Sequence, residues 1–151
     1  YSADWVASVN ASDGSLTSSQ NSATTFDINS LTAINVTANI DYGSLALGAT
    51  SSVQTITITN TGNDLTTDVT LYGTAMNCTV GTIAVGQQNY TSSTSATPAT
   101  ALSTASTSVG LSMRKQTVST TAVTSNTRWT LTLPSSGLSG TCTGTISFLA
   151  T

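Results

Sequence analysis

Few side chains in this 151-residue sequence are of types that do chemistry, and their spacing narrows what that chemistry is. Its two cysteines are Cys78 and Cys142. Met76, Cys78 and Val80 share one alternation phase, and Cys142 is in phase with Ile146 and Phe148. Both sulfurs are therefore expected to point into the core, either paired as a disulfide or left as two buried thiols. Pairing would stabilise the fold by about 4 kcal/mol through loop closure and would fit an oxidising compartment. With no His in the chain, neither a metal site nor a cysteine nucleophile finds the partner it needs. Four Asn-X-Ser/Thr sequons, at Asn10, Asn35, Asn77 and Asn89, are candidates for N-glycosylation. Asn35 and Asn77 fall opposite the apolar residues of their segments, on a face able to carry a glycan.

General acid–base catalysis calls for His or paired carboxylates in a cleft. The chain has neither His nor Glu, and its acids are Asp4, Asp13, Asp27, Asp41, Asp64 and Asp68. Asp64 and Asp68 flank a turn and read as solvated rather than as a catalytic or Ca²⁺-binding pair. No Ser has a base beside it, and Gly-rich phosphate loops are missing. The expectation is a protein that is not an enzyme, with no catalytic residue, no cofactor and no metal. Lys115, the sole lysine, suits either an isopeptide bond to an Asn or, as the simpler reading, an exposed Arg114–Lys115 pair in a loop. Trp5, Trp129 and the tyrosines offer a sugar-binding platform or core packing; Trp129, in phase with Leu131 and Leu133, is assigned to the core.

The elements that position these residues are strands. Ile34, Val36, Ala38 and Ile40 alternate with polar residues, as do Ile56 and Ile58 within Gln54–Thr59. The same period runs through Val69 and Leu71, Ile83 and Val85, and Trp129, Leu131 and Leu133, where Pro134 closes the strand. Cys142, Gly144, Ile146, Phe148 and Ala150 form one face of a last strand. Thr on the opposite face is typical of half-buried antiparallel strands. Asp13-Gly14, Tyr42-Gly43, Asn60-Thr-Gly-Asn63 and Ser136-Gly137 mark turns. Residues 91–109 read as a long surface loop with one weak strand. The predicted fold is all-β: a two-sheet antiparallel sandwich of about eight to ten strands, Ig-like or jelly-roll.

Composition sets the environment. Charged residues are 6% of the chain, against roughly 25% in typical soluble domains. Ser and Thr fill 57 positions. A surface hydrated by hydroxyls has little to titrate, so stability is expected to vary little with pH. Sparse Lys and Arg leave few trypsin sites. Both traits suit an extracellular, cell-surface location. The formal charge of -3, with only three bases, argues against nucleic acid. No apolar run approaches the ~20 residues of a membrane span. Starting at Tyr1 without a signal-type segment, the chain is expected to be a mature, secreted product.

Asp41-Tyr-Gly-Ser-Leu-Ala-Leu-Gly48, followed by Gln54-Thr-Ile-Thr-Ile-Thr-Asn-Thr-Gly-Asn63, resembles Ig-like sandwich modules of secreted and surface-anchored prokaryotic proteins. Gly140-Thr-Cys-Thr-Gly-Thr-Ile-Ser-Phe148 resembles the closing strand of such modules. In architecture and composition the whole chain is similar to subunits of donor-strand filaments: archaeal threads, archaeal bundling pili and the TasA biofilm fibre. That resemblance implies a homopolymer of identical subunits, with surface glycans as further partners. The long apolar N-terminal helix of type IV pili is not part of the sequence.

The N-terminus carries the functional expectation. Tyr1, Ala3, Trp5, Ala7 and Val9 form an apolar stripe, and the polar segment that follows reads as a tether. Residues 1–22 are thus expected to be a donor strand and linker, and residues 23–151 the sandwich. The strand then completes the sheet of the next subunit by donor-strand complementation, head to tail, so that fibres propagate. Alternatively it is an ordinary first strand of its own domain, and the chain is an adhesion, binding or S-layer module.

Overall fold

Where apolar and polar residues alternate with period two, as in Gln54–Asn60 and Val123–Leu131, the chain forms antiparallel strands. The computed structural model describes residues 5–19, 21–26, 29–37, 39–94, 96–118 and 120–151, with backbone only for 5–8 and 21–26. In chain order the first strands are β1 (Trp5–Val9), β2 (Asn21–Phe26), β3 (Ile34–Val36), β4 (Gln54–Asn60), β5 (Thr66–Thr67), β6 (Val69–Gly73), β7 (Met76–Val80) and β8 (Thr82–Ile83). A 3-10 turn at Val85–Gln87 leads into β9 (Gln88–Thr91). Then come β10 (Thr100–Ala101), β11 (Thr107–Ser108), β12 (Met113–Arg114), β13 (Val123–Leu131), β14 (Ser139–Thr143) and β15 (Ile146–Ala150). The chain forms two compact units, Tyr1–Leu31 and Thr32–Thr151.

In the larger unit a five-stranded sheet of order β10-β9-β13-β4-β3 faces a three-stranded sheet of order β11-β6-β15. Ile56 and Ile58 on β4, Val69 and Leu71 on β6, and Trp129 and Leu131 on β13 are buried between them. Trp129, fully buried, lies 5.3 Å from the Tyr90 ring and meets Phe148 of the opposite sheet edge-on at 6.1 Å. Its indole N–H donates to Thr127 Oγ1 at 2.9 Å, so burial strands no donor. The result is the expected sandwich, with Trp129 in its core rather than on a sugar platform.

Asn60, 1% exposed, shows why the Asn-Thr-Gly-Asn turn reads as it does. Its Nδ2 donates to the Arg114 carbonyl at 3.1 Å, and its Oδ1 accepts from the Gly62 amide at 2.9 Å. The turn is thereby bonded to β12, whose Arg114 pairs with Thr66 of β5. Arg114 is a strand residue, not a loop residue, and Lys115 beside it is half-buried. Residues 91–109 contribute two short strands, β10 and β11, where one was expected.

β6 and β7 run on through Thr74 and Ala75 opposite β15 and β14, making one kinked ribbon. At the kink the Thr74 amide donates to the Thr145 carbonyl at 2.9 Å, and the Thr145 amide to Thr74 Oγ1 at 3.1 Å. Glycine is needed there for space. A Cβ on Gly73 would collide with the Leu102 side chain, and one on Gly144 would sit 2.8 Å from Met76 Cγ. The last strand is therefore bent at Gly144 rather than straight.

Asp68 is no solvated turn residue. It accepts from the amides of Val69 at 2.8 Å and Leu111 at 2.7 Å and from the Ser108 hydroxyl, fastening the 108–111 loop. Partial burial raises its pKa, but the Ser108 hydroxyl and the amides of Val69, Leu111 and Gly110 outweigh that and hold it below the ordinary value. Its own amide and carbonyl pair with Thr151, tying down the end of the chain. Asp64 accepts from the Thr32 hydroxyl at 3.0 Å.

The smaller unit is a hairpin. β1 and β2 pair antiparallel, with Trp5 opposite Phe26, Val6 opposite Thr25 and Val9 opposite Asn21, and a bulge between Ala7 and Ser8. The polar segment between them is a closed turn rather than an open tether. Ser12 bridges Thr17, and Asp13 Oδ1 accepts from the amides of Ser15 at 2.9 Å and Leu16 at 2.8 Å. Those two amides, Leu16 foremost, hold the Asp13 carboxyl below its ordinary pKa. This unit takes in β2 as well as the strand and polar segment expected from the sequence. Tyr1 and Ala3 lie outside the described residues.

Candidate functional site: the open edge of the disulfide-bridged ribbon

Among the described residues, the ribbon strand formed by β14 and β15 is paired on one side only. β15 ends the order β11-β6-β15, and β14 ends the order β14-β7-β8. Across from this edge runs the segment Asn39–Leu45, which continues from β3. Between the two lie adjoining grooves of about 380 and 540 Å³ that share Ile40, Tyr42, Met76 and Cys142 as walls. The first also takes in Ile56, Ile146 and Phe148; the second takes in Leu45, Ile83 and Leu133. Ile146 and Phe148 are half-buried, although they continue the apolar face that packs on Trp129. Half-covered core residues beside an unpaired strand mark an incomplete sheet edge, which favours strand addition.

Two polar groups of the first groove's lining meet each other. Gln88, 2% exposed, accepts from the Tyr42 hydroxyl at 3.4 Å through Oε1, while its Nε2 has no hydrogen-bond partner. An unpaired buried amide costs about 1–3 kcal/mol. Burial raises the Tyr42 phenol well above its ordinary pKa, so it stays protonated and donates. No charged side chain lines the first groove. Among the described residues, no three His, Cys or Asp side chains gather to hold a metal.

Cys78 and Cys142 stand directly opposite each other in the β7–β14 register and form a disulfide, with Cα atoms 3.9 Å apart. The pairing is as expected, but the depth is not. Both residues are half-buried at the rim of the core, because β7 and β14 project beyond the kink with Asn77, Thr79 and Val80 exposed. Cys142 consequently forms part of the groove wall.

The sequons are scattered. Asn10, Asn35 and Asn77 are exposed, on the hairpin turn, β3 and β7, whereas Asn89 is half-buried in β9 between β10 and β13. From the sequence, Ile40, Tyr42, Ile146 and Phe148 are recognisable as apolar-phase or turn residues, but nothing local says that they meet. Gln88 carries no signal, since its isolation depends on Tyr42, 46 positions away. Compared with known proteins, the chain matches no family model, no curated sequence and no solved structure.

Proposed function

We propose that this chain is a structural subunit of an extracellular filament, in which the N-terminal strand of one copy adds to the open β14–β15 edge of the next. The observation that carries this reading is the groove along a strand edge with no partner among the described residues, with Ile40, Met76, Ile146 and Phe148 in its lining. Strand addition draws affinity from backbone hydrogen bonds and register from alternating side-chain pockets. Tyr1, Ala3, Trp5, Ala7 and Val9 supply such an alternation. A contact between two different surfaces does not close on itself, so it propagates. The disulfide and the hydroxyl-rich, charge-poor composition support an oxidising, extracellular setting. Exposed Asn10, Asn35 and Asn77 are the sequons placed to carry glycan.

Negative-stain electron microscopy of the full chain and of a version lacking residues 1–9 tests the reading. Fibres from the full chain and monomers from the deletion are expected. Fibres from both would overturn the donor role. Monomers from both would favour the adhesion or S-layer reading, with β1 as an ordinary strand.

A further inference from the structure

We infer that the donated element is the whole β1–β2 hairpin, so that the acceptor's three-stranded sheet grows to five strands in the order β11-β6-β15-β1-β2. The identity of the partner rests on the filament reading; the two-strand stoichiometry comes from the fold. A single donated strand would have to leave β2, breaking pairs that run from Trp5–Phe26 to Val9–Asn21. Backbone groups on β2 would then need new partners. Docking as a hairpin breaks none of these bonds, because β1 keeps one edge on β2 and offers the other. A lone two-stranded hairpin is at best marginally stable in water, and a third strand beside it removes that weakness.

The acceptor offers a strand end to add to: its sheets are unequal, five strands against three, and β15 is one end of the smaller sheet. Two strands at about 4.8 Å spacing widen the smaller sheet by roughly 10 Å. The added strands would lie beside Ile40, which is half-buried where it walls the groove. The register places Trp5 and Phe26 opposite each other along the hairpin. A docked backbone also brings carbonyls within reach of the groove in which Gln88 Nε2 lacks a partner.

A disulfide lock decides between hairpin and single strand. Val6→Cys with Thr25→Cys bridges the two strands at a register pair outside the apolar stripe. The oxidised variant, with the crosslink verified by mass spectrometry, is expected to form fibres with yield and rate within about twofold of the parent. Loss of fibres that reductant restores, with the parent treated identically as a control, would show that β1 must separate from β2 and would overturn the inference. Replacing residues 21–26 by a Gly-Ser stretch of equal length is the second variant, and it decides the matter if the crosslink fails to form. Hairpin donation expects fibres to be lost; persistent fibres would overturn it. Deletion of residues 1–9 separates the two claims. If that deletion and the lock both abolish fibres, the filament reading stands and only the hairpin inference falls.

Discussion

The two units of this chain bury their residues in opposite ways. In Thr32–Thr151, Ile58, Val69, Ile83 and Trp129 are fully buried, and the contacts that hold them join strands far apart in sequence. In Tyr1–Leu31, Val9 is 72% and Leu16 76% exposed, and the hydrogen bonds of the turn stay within a few residues of Asp13. One unit is stabilised by its interior. In the other, the apolar side chains of Val9 and Leu16 lie in the open. On the filament reading proposed above, substitutions in the sandwich core are expected to move the melting temperature, and substitutions in the hairpin to move polymerisation.

The sharpest way to break that separation is Trp129→Ala. Losing a fully buried indole between Tyr90 and Phe148 is expected to cost about 3–5 kcal/mol, read by denaturant unfolding of the deletion lacking residues 1–9. A cost near zero would mean that the two sheets are not held together as described. Next is removal of the bridge by Cys78→Ala with Cys142→Ala, expected to cost roughly 2–4 kcal/mol in the same assay. Because Cys142 also walls the groove, this variant should additionally weaken fibres at temperatures where the sandwich is still folded.

Asp68 gives a smaller effect with a defined pH sign. Its folded pKa lies below the ordinary 3.8, so the clasp on Ser108 and Leu111 contributes fully above that pH and is lost as pH falls through the folded value. Tyr42 acts at the other extreme. Its pKa is raised, so its contribution is intact below pH 10 and fades as pH climbs through the folded value. Calorimetry should therefore show a flat melting temperature from about pH 5 to 9, falling on the acid side below about pH 4. Asp68→Ala is expected to cost about 1–2 kcal/mol at neutral pH and to blunt the acid limb. The smallest effect on folding is expected from Asp13→Ala: an unchanged sandwich melting temperature, with slower fibre growth in a light-scattering assay.

Legibility followed the same divide. The Trp129-Thr-Leu131 alternation, the Gln54–Asn60 strand and the Cys78–Cys142 pair could be read because apolar burial leaves a local period. β2 could not. Asn21-Ser-Ala-Thr-Thr-Phe26 pairs through its backbone, and such pairing leaves no apolar period, so the boundary expected between linker and sandwich, after residue 22, falls inside this strand. Asp68 was misread for a related reason. Its partners at Ser108 and Leu111 are 40 and 43 residues away, and nothing beside Asp68 announces them. The bend at Gly144 is hidden because alternation continues across it. The groove follows from all three kinds of information at once: strand order, the bend, and the place where sheet pairing stops.

The crosslink across the ribbon also has a mechanical consequence. Cys78 and Cys142 are 64 residues apart, and everything between them hangs in a covalent loop off the line of tension. Stretched from its two ends, the polypeptide transmits force through the sulfurs and bypasses that loop. At about 3.3–3.6 Å per residue, roughly 210–230 Å of contour length is withheld from extension. Trp129 and Leu131, with the central strands β9 and β13, lie inside the loop, so force applied to the ends can peel back only the flanking segments, β4 and β6 among them, before it meets a covalent stop.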